Sequence, residues 1–160
     1  MSAVAVGPSR LTLDPAVGGS GWDVTVIEQS GVTAEVTRTG GAIVVRLGDR
    51  DDPSSATVSC EPGGRVVVDA SAAPPALLVR SASVVLVPST PGERGVAHLG
   101  ADERLLVLSA EAYDTLPPAL VILLRALPDR VLGTDPAALL ETLFEQIPVG
   151  CGALISAANP

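Results

Sequence analysis

The residues best suited to bind a cation are three acids in one polar loop, Asp49, Asp51 and Asp52. Carboxylate oxygens are the ligands that hard divalent cations prefer. The loop lacks the central Gly and the closing Glu of a helix-loop-helix calcium site. Its spacing therefore favours a solvated acidic loop, with a cation site as the alternative.

The nucleophiles and nitrogen ligands are few and scattered. Cys60, Cys151 and the single histidine, His98, lie far apart and do not follow the ligand spacing of a zinc site. We expect both cysteines to be small buried thiols, because unpaired cysteines of this kind usually pack like apolar residues. Ser109 has no nucleophile-elbow motif around it. The residues alone therefore predict no catalytic constellation.

The composition of the chain narrows its class further. It has 160 residues, 10 basic side chains that are all Arg, 18 acids, and a net charge of −8. A Lys-free composition of this kind is typical of a high-GC genome. An acidic chain with 2% aromatic residues favours neither phosphate neutralisation nor base stacking, so we expect no nucleic-acid partner. The 47% of apolar residues predicts a folded domain, taken as one domain over residues 1–160 with residues 1–8 flexible.

The sequence contains no pattern typical of export or of membrane insertion. Residues 1–8 lack the basic start and the apolar stretch of a signal peptide. The longest apolar segment, residues 116–127, is shorter than the roughly 20 residues that a membrane span needs and contains Pro117, Pro118 and Arg125. We therefore expect a cytoplasmic protein without membrane contact.

The hydrophobic patterning predicts an α+β fold with mostly antiparallel β-sheet. Alternating or β-branched apolar segments predict strands, and Leu-rich segments that begin with Pro predict helices. Many strands come first, and two C-terminal helices and one last strand follow. The predicted strands are residues 24–27, 32–37, 42–47, 56–60, 65–69, 77–80, 83–87, 104–109 and 150–156; the helices are 117–127 and 137–147, and 88–95 is a loop.

Four segments of the chain resemble, in order, the bacterial metal-dependent PPM-type serine/threonine phosphatases of the sporulation and stress-response branch. Residues 11–24, with Gly18-Gly19-Ser20-Gly21-Trp22-Asp23, resemble the first strand and its Gly-Gly-Asp-Trp-Tyr-Asp turn. Residues 65–79 resemble the strand that leads into Asn-Ala-Gly-His-Pro-Pro, and residues 99–113 the segment around Thr-Asp-Gly. Residues 135–147 resemble the closing helix, and residues 153–156 resemble the final strand. The resemblance implies a reduced PPM-like sandwich.

The same resemblance implies that the metal-binding acids of the family are absent here. The family binds two Mg²⁺ or Mn²⁺ ions with clustered aspartates. One vestigial candidate ligand remains, Asp49, and one carboxylate is too few for two cations, so we predict no catalytic residue, no metal site and no cofactor. The degenerate positions, at which the family has ligand acids, are Ser20 or Gly21, Ala110, Gly150 and Cys151.

The resemblance also implies that a helical layer is missing. The family has two long helices where this chain has only residues 50–55. Either the predicted helix 117–127 or a sheet face would then be exposed, and exposed apolar surface usually marks association. The alternative is that the last helix and loops cover it. The residues singled out as a possible interaction surface are Leu116, Leu120, Leu123 and Leu124.

The sequence therefore predicts a pseudophosphatase, which is a phosphatase-like regulatory domain without enzymatic activity. It would act by binding another protein or a second copy of itself. In the family this type of domain belongs to sigma-factor partner switching, which the resemblance implies for this chain. Two alternatives stay open: a structural or assembly subunit without a signalling role, and a divergent phosphatase that uses other acids, such as Asp49, Asp51, Asp69 and Glu111.

Overall fold

The structure is a computed structural model, in which eleven strands form two antiparallel sheets among the described residues. The described residues are 6–13, 22–29, 34–39, 42–48, 55–69, 75–80, 83–87, 94–100, 102–116, 118, 122, 132–133, 135–147 and 150–157. The strands are β1 (Val6–Leu13), β2 (Trp22–Gln29), β3 (Ala34–Thr39), β4 (Ala42–Leu47), β5 (Ala56–Cys60), β6 (Arg65–Asp69), β7 (Ala76–Arg80), β8 (Ser83–Val87), β9 (Arg94–His98), β10 (Arg104–Leu108) and β11 (Gly150–Ala157).

The two sheets are built from neighbouring hairpins and one late strand. The first sheet has six strands in the order β1-β2-β11-β10-β7-β8, and the second has five in the order β3-β4-β5-β6-β9. All strand pairs are antiparallel. The C-terminal strand β11 lies in the middle of the first sheet, between β2 and β10. It therefore joins the N-terminal hairpin to the rest of that sheet.

The core between the sheets is made mainly of β-branched and aliphatic side chains. On β4, for example, Ile43, Val45 and Leu47 are buried and the residues between them are only half-buried, as expected for a strand with one face on a core. Trp22, the one tryptophan, is 2% exposed in this core. The inter-sheet core comprises Trp22, Val24, Val26, Ile43, Val45, Leu47, Ala56, Val58, Cys60, Val66, Val68, Ala76, Leu78, Val87, Leu99, Leu105, Val107, Cys151, Ala153 and Ile155.

Two helices among the described residues pack on the outer face of the first sheet. They are α1 (Ala110–Asp114) and α2 (Pro136–Gln146). Helix α1 contacts β10 and β11, and α2 contacts β1, β2 and β11. The Phe144 ring of α2 lies so close to Gly152 that a Cβ there would be 2.8 Å from Phe144 Cε1. The absence of a side chain at Gly152 therefore lets α2 approach the sheet.

The connection between β4 and β5 is a short hairpin loop. Leu47 pairs directly with Ala56, so only residues 48–55 join the two strands. Gly48 has φ +114°, and a Cβ on it would meet the Ser55 Cβ at 3.1 Å. The base of the loop is thus tight, and eight residues leave no room for two long helices of about 1.5 Å rise per residue.

These observations confirm the predicted α+β class with mostly antiparallel sheet. The predicted strands 42–47, 56–60, 65–69 and 83–87 have the observed bounds, and the others agree to within a few residues. The predicted helix 137–147 is observed as Pro136–Gln146. Of the predicted helix 117–127, only residues 118 and 122 are described, and both are helical.

The structure differs locally from the prediction in three places. The predicted loop 88–95 runs into strand β9, which begins at Arg94. Its inward side chains are small, Gly95 and Ala97, so the apolar alternation that marks a strand is weak. Strand β10 ends at Leu108, one residue earlier than predicted, because Ser109 begins helix α1. That helix was not predicted, since five residues are too few to show a helical period.

Candidate functional site

The antiparallel pairing of β10 with β11 brings three of the degenerate positions to one end of the first sheet. Leu108 pairs with Gly152, so the end of β10 lies beside the start of β11. Ala110 comes two residues after that pair, and Gly150 and Cys151 lie just before it in β11. The structure therefore assembles Ala110, Gly150 and Cys151 from segments about 40 residues apart.

Ser109 is the residue that joins these segments. It is fully buried, and its Oγ accepts hydrogen bonds from the backbone N–H groups of Cys151, at 3.1 Å, and Ala112, at 3.4 Å. Its own backbone N–H donates to the Cys151 carbonyl oxygen at 2.9 Å. Ser109 therefore caps helix α1 and fastens it to β11. The sequence analysis missed this role, although a Ser directly before Ala-Glu-Ala is a residue type favoured at helix starts.

Gly150 is packed so closely that the position cannot hold a side chain without movement of α1. Its φ is +105°, which disfavours any other residue. A Cβ on Gly150 would be 2.6 Å from the Ser109 Oγ and 2.7 Å from the Ala112 backbone nitrogen. The space in which a carboxylate at this position would begin is therefore filled by the cap of α1.

The two cysteines are buried free thiols, as predicted. Cys60 and Cys151 both lie in the inter-sheet core and are 0% exposed. Burial raises the pKa of the Cys60 thiol from 9.0 to about 12. The Cys60 thiol is therefore protonated at neutral pH and is not a nucleophile there.

The acids named for a divergent phosphatase are placed on different parts of the fold where they are described. Asp69 ends β6 in the second sheet, and Glu111 lies in α1, which packs on the first sheet. Asp49, Asp51 and Asp52 lie outside the described residues, as do Ser20 and Gly21. In the part of the chain that the structure describes, no three His, Cys, Asp or Glu residues are grouped as a metal site requires.

The described part of the site does not fit the pair of divalent cations that the resemblance implies. Hard cations need several oxygen ligands, and carboxylates must balance their charge. The side chains at Ala110, Gly150 and Cys151 offer a methyl group, a hydrogen and a buried thiol. The neighbouring hydroxyl, on Ser109, already accepts two backbone hydrogen bonds.

The arrangement of the strands and helices is similar to that of a solved phosphatase structure. It is the structure of the PP2C phosphatase domain and a fragment of the regulatory domain of the cell fate determinant SpoIIE from Bacillus subtilis, with a TM-score of 0.55. The chain has a PP2C-like α+β fold. The match covers 96% of this chain and 63% of that chain at 10% sequence identity, so the likeness concerns the fold alone. No protein-family model and no curated protein matches the sequence.

The remaining sequence-predicted residues have other surroundings. His98 is exposed on β9 and pairs with Arg65 of β6. Leu116 is half-buried against the core between the first sheet and its helices, whereas Leu120, Leu123 and Leu124 lie outside the described residues. None of the described helices is both long and apolar enough to cross a membrane.

Proposed function

We propose that this chain is a catalytically inactive, phosphatase-like regulatory domain that acts by binding other protein chains. The observation that supports the loss of catalysis best is the close packing of Gly150 against Ser109 and Ala112. The resemblance assigns a metal ligand to position 150, but the space for a side chain there is filled by Ser109, which caps helix α1. An aspartate at position 150 would require helix α1 to move. The loss of this ligand therefore involves the packing of the backbone and not only the exchange of one side chain.

The electrostatics of a two-metal site supports the same proposal. Two divalent cations at a typical separation of about 3.5–4 Å repel each other strongly, and clustered carboxylates must offset that repulsion. The resemblance leaves Asp49 as a single vestigial ligand, while Ala110, Gly150 and Cys151 supply no carboxylate. One carboxylate cannot hold two such ions, so the water that attacks phosphorus would not be activated.

The exposed face of the second sheet supports a regulatory role through binding. The described helices α1 and α2 pack on the first sheet, whereas the outer face of the second sheet contains the exposed side chains Arg65, Arg94 and Val96. Val96 is 51% exposed. The resemblance to phosphatases of the sporulation and stress-response branch suggests a role in sigma-factor partner switching, and the chain spans 63% of the SpoIIE structure that it matches.

Phosphatase assays test the loss of catalysis. The purified chain would be incubated with p-nitrophenyl phosphate and with phosphoserine and phosphothreonine peptides in the presence of Mn²⁺ or Mg²⁺. The PP2C domain of SpoIIE, assayed at the same concentrations, serves as the comparison. We expect no metal-dependent release of phosphate from this chain. Turnover that depends on Mn²⁺ and is lost on chelation would contradict the proposal and favour a divergent phosphatase.

A further inference from the structure

The outer face of the second sheet has a row of side chains with alternating charge. The register pairs Glu35 with Arg46, Arg46 with Thr57, Thr57 with Asp69, and Asp69 with Arg94. Directly opposed residues of antiparallel strands point to the same face. The row therefore reads acid, base, hydroxyl, acid, base across β3, β4, β5, β6 and β9.

A second row of small and β-branched side chains lies beside the charged row. The register pairs Thr37 with Val44, Val44 with Ser59, Ser59 with Val67, and Val67 with Val96. These side chains are half-buried or, at Val96, exposed. The face is therefore flat and partly apolar, without long side chains along its centre.

The charged row is complementary to itself when it is reversed. Two copies placed face to face, about a two-fold axis parallel to β5, bring β3 of one copy over β9 of the other and β4 over β6. Glu35 then faces Arg94 of the second copy, and Arg46 faces Asp69 of the second copy. Thr57 faces its own equivalent on the axis. Every charge in the row thus meets an opposite charge. The row is therefore self-complementary, as the surface of an isologous interface must be.

The apolar row matches in the same arrangement. Val44 faces Val67 of the second copy, and Val96 faces Thr37 of the second copy. At the margin of this face, Glu61 accepts from Arg65 at 2.9 Å, which neutralises the acid that approaches the axis there.

We propose that the outer face of the second sheet is a dimer interface, and that its occupant is a second copy of this chain. Five strands about 4.8 Å apart and three rows of side chains give a patch of about 24 Å by 20 Å. Two such patches bury about 1,000 Å² in total, which is near the lower limit for a specific interface. At this size we expect a weak, reversible dimer. This inference is independent of the proposed loss of catalysis.

A charge-swap series in the full chain tests the dimer, with mass measured by sedimentation equilibrium from about 1 to 500 µM. We expect a reversible monomer–dimer equilibrium. Arg46→Asp places like charges opposite each other twice in each dimer and weakens it at least about tenfold. The combined Arg46→Asp and Asp69→Arg variant restores the facing pairs and returns the dissociation constant to within about threefold of the original. Within a single copy the same swap sets like charges side by side, so only contacts between copies give rescue.

A matched pair of valine variants provides the control. Val96→Asp lies in the proposed interface, and Val85→Asp lies on the edge strand β8 of the first sheet; both valines are exposed, at 51% and 38%. We expect the Val96 variant to weaken the dimer and the Val85 variant to leave it unchanged. A chain that stays monomeric at about 500 µM, a charge swap that binds no better than the single variant, or equal effects of the two valine variants would overturn the proposal. A dimer that hydrolyses phosphate esters would keep this inference and contradict the proposed function instead.

Discussion

Gly150 lies directly against Ser109, so that a Cβ on Gly150 would stand 2.6 Å from the Ser109 Oγ. The Ser109 hydroxyl uses this space to accept hydrogen bonds from Cys151 N and Ala112 N. The end of the first sheet that the resemblance assigns to metal ligands is thus used to attach helix α1. The stability of this attachment can be measured separately from any activity.

Gly150→Ala is expected to destabilise the fold strongly. The methyl group collides with Ser109 and with the backbone of α1, and the φ of +105° is unfavourable for alanine. We expect a loss of about 3–5 kcal/mol in the free energy of unfolding, measured by urea denaturation. Gly63→Ala is the matched control, because Gly63 has φ +83° but no atom within 4 Å of its Cβ position. Gly63→Ala should lower the free energy of unfolding by only about 1–2 kcal/mol. Equal losses in the two variants would show that the packing at Gly150 is not tight.

Ser109→Ala is expected to cost about 2–3 kcal/mol of stability. The substitution removes the cap of α1 and the hydroxyl that accepts a hydrogen bond from the buried backbone N–H of Cys151. Asp135→Ala is the control, because the Asp135 carboxylate caps α2 at an exposed position, 3.3 Å from Ala138 N. There we expect a loss of about 1 kcal/mol. Hydrogen exchange of the Cys151 amide should also become faster only in the Ser109 variant; unchanged exchange would contradict the assigned role.

The buried Cys60 thiol predicts a loss of stability at alkaline pH. Its pKa is raised from 9.0 to about 12 in the folded chain, so the unfolded chain releases this proton first. The resulting stabilisation is complete below pH 9 and is lost as the pH rises toward 12, by up to about 1.4 kcal/mol per pH unit. Urea denaturation between pH 8 and about 10.5 measures it. In Cys60→Ala, the free energy of unfolding should fall less steeply with pH, by this amount per pH unit. An identical pH dependence in the two proteins would show that Cys60 does not titrate as proposed.

Much of the fold could be predicted because most strands carry their own pattern. In β4 and β5, buried apolar residues alternate with half-buried residues, and each strand was predicted with its observed bounds. Strand β9 was not, because its inward residues Gly95 and Ala97 contribute little apolar surface. Helix α1 depends on the cap at Ser109 and on the sheet beneath it, and neither produces a helical period in five residues.

The arrangement of the candidate site could be predicted only in part. The resemblance named Ala110, Gly150 and Cys151, but residue types and spacing alone did not connect them. Their proximity depends on the pairing of Leu108 with Gly152, which is a tertiary relationship between distant segments. The self-complementary charge row was also beyond prediction, since it requires the register of five strands at once. One-dimensional patterns fix which residues share a face of a strand, but not which strands are neighbours.

Isothermal titration of the full chain with Mn²⁺ tests the loss of the two-metal site most directly. The PP2C domain of SpoIIE, titrated under the same conditions, provides the reference for metal binding. Because Ala110, Gly150 and Cys151 supply no carboxylate and Gly150 has no room for a side chain, we expect no saturable binding of two ions up to about 1 mM Mn²⁺. Micromolar binding of two Mn²⁺ ions per chain would contradict the proposal that this domain has lost the metal chemistry of a phosphatase.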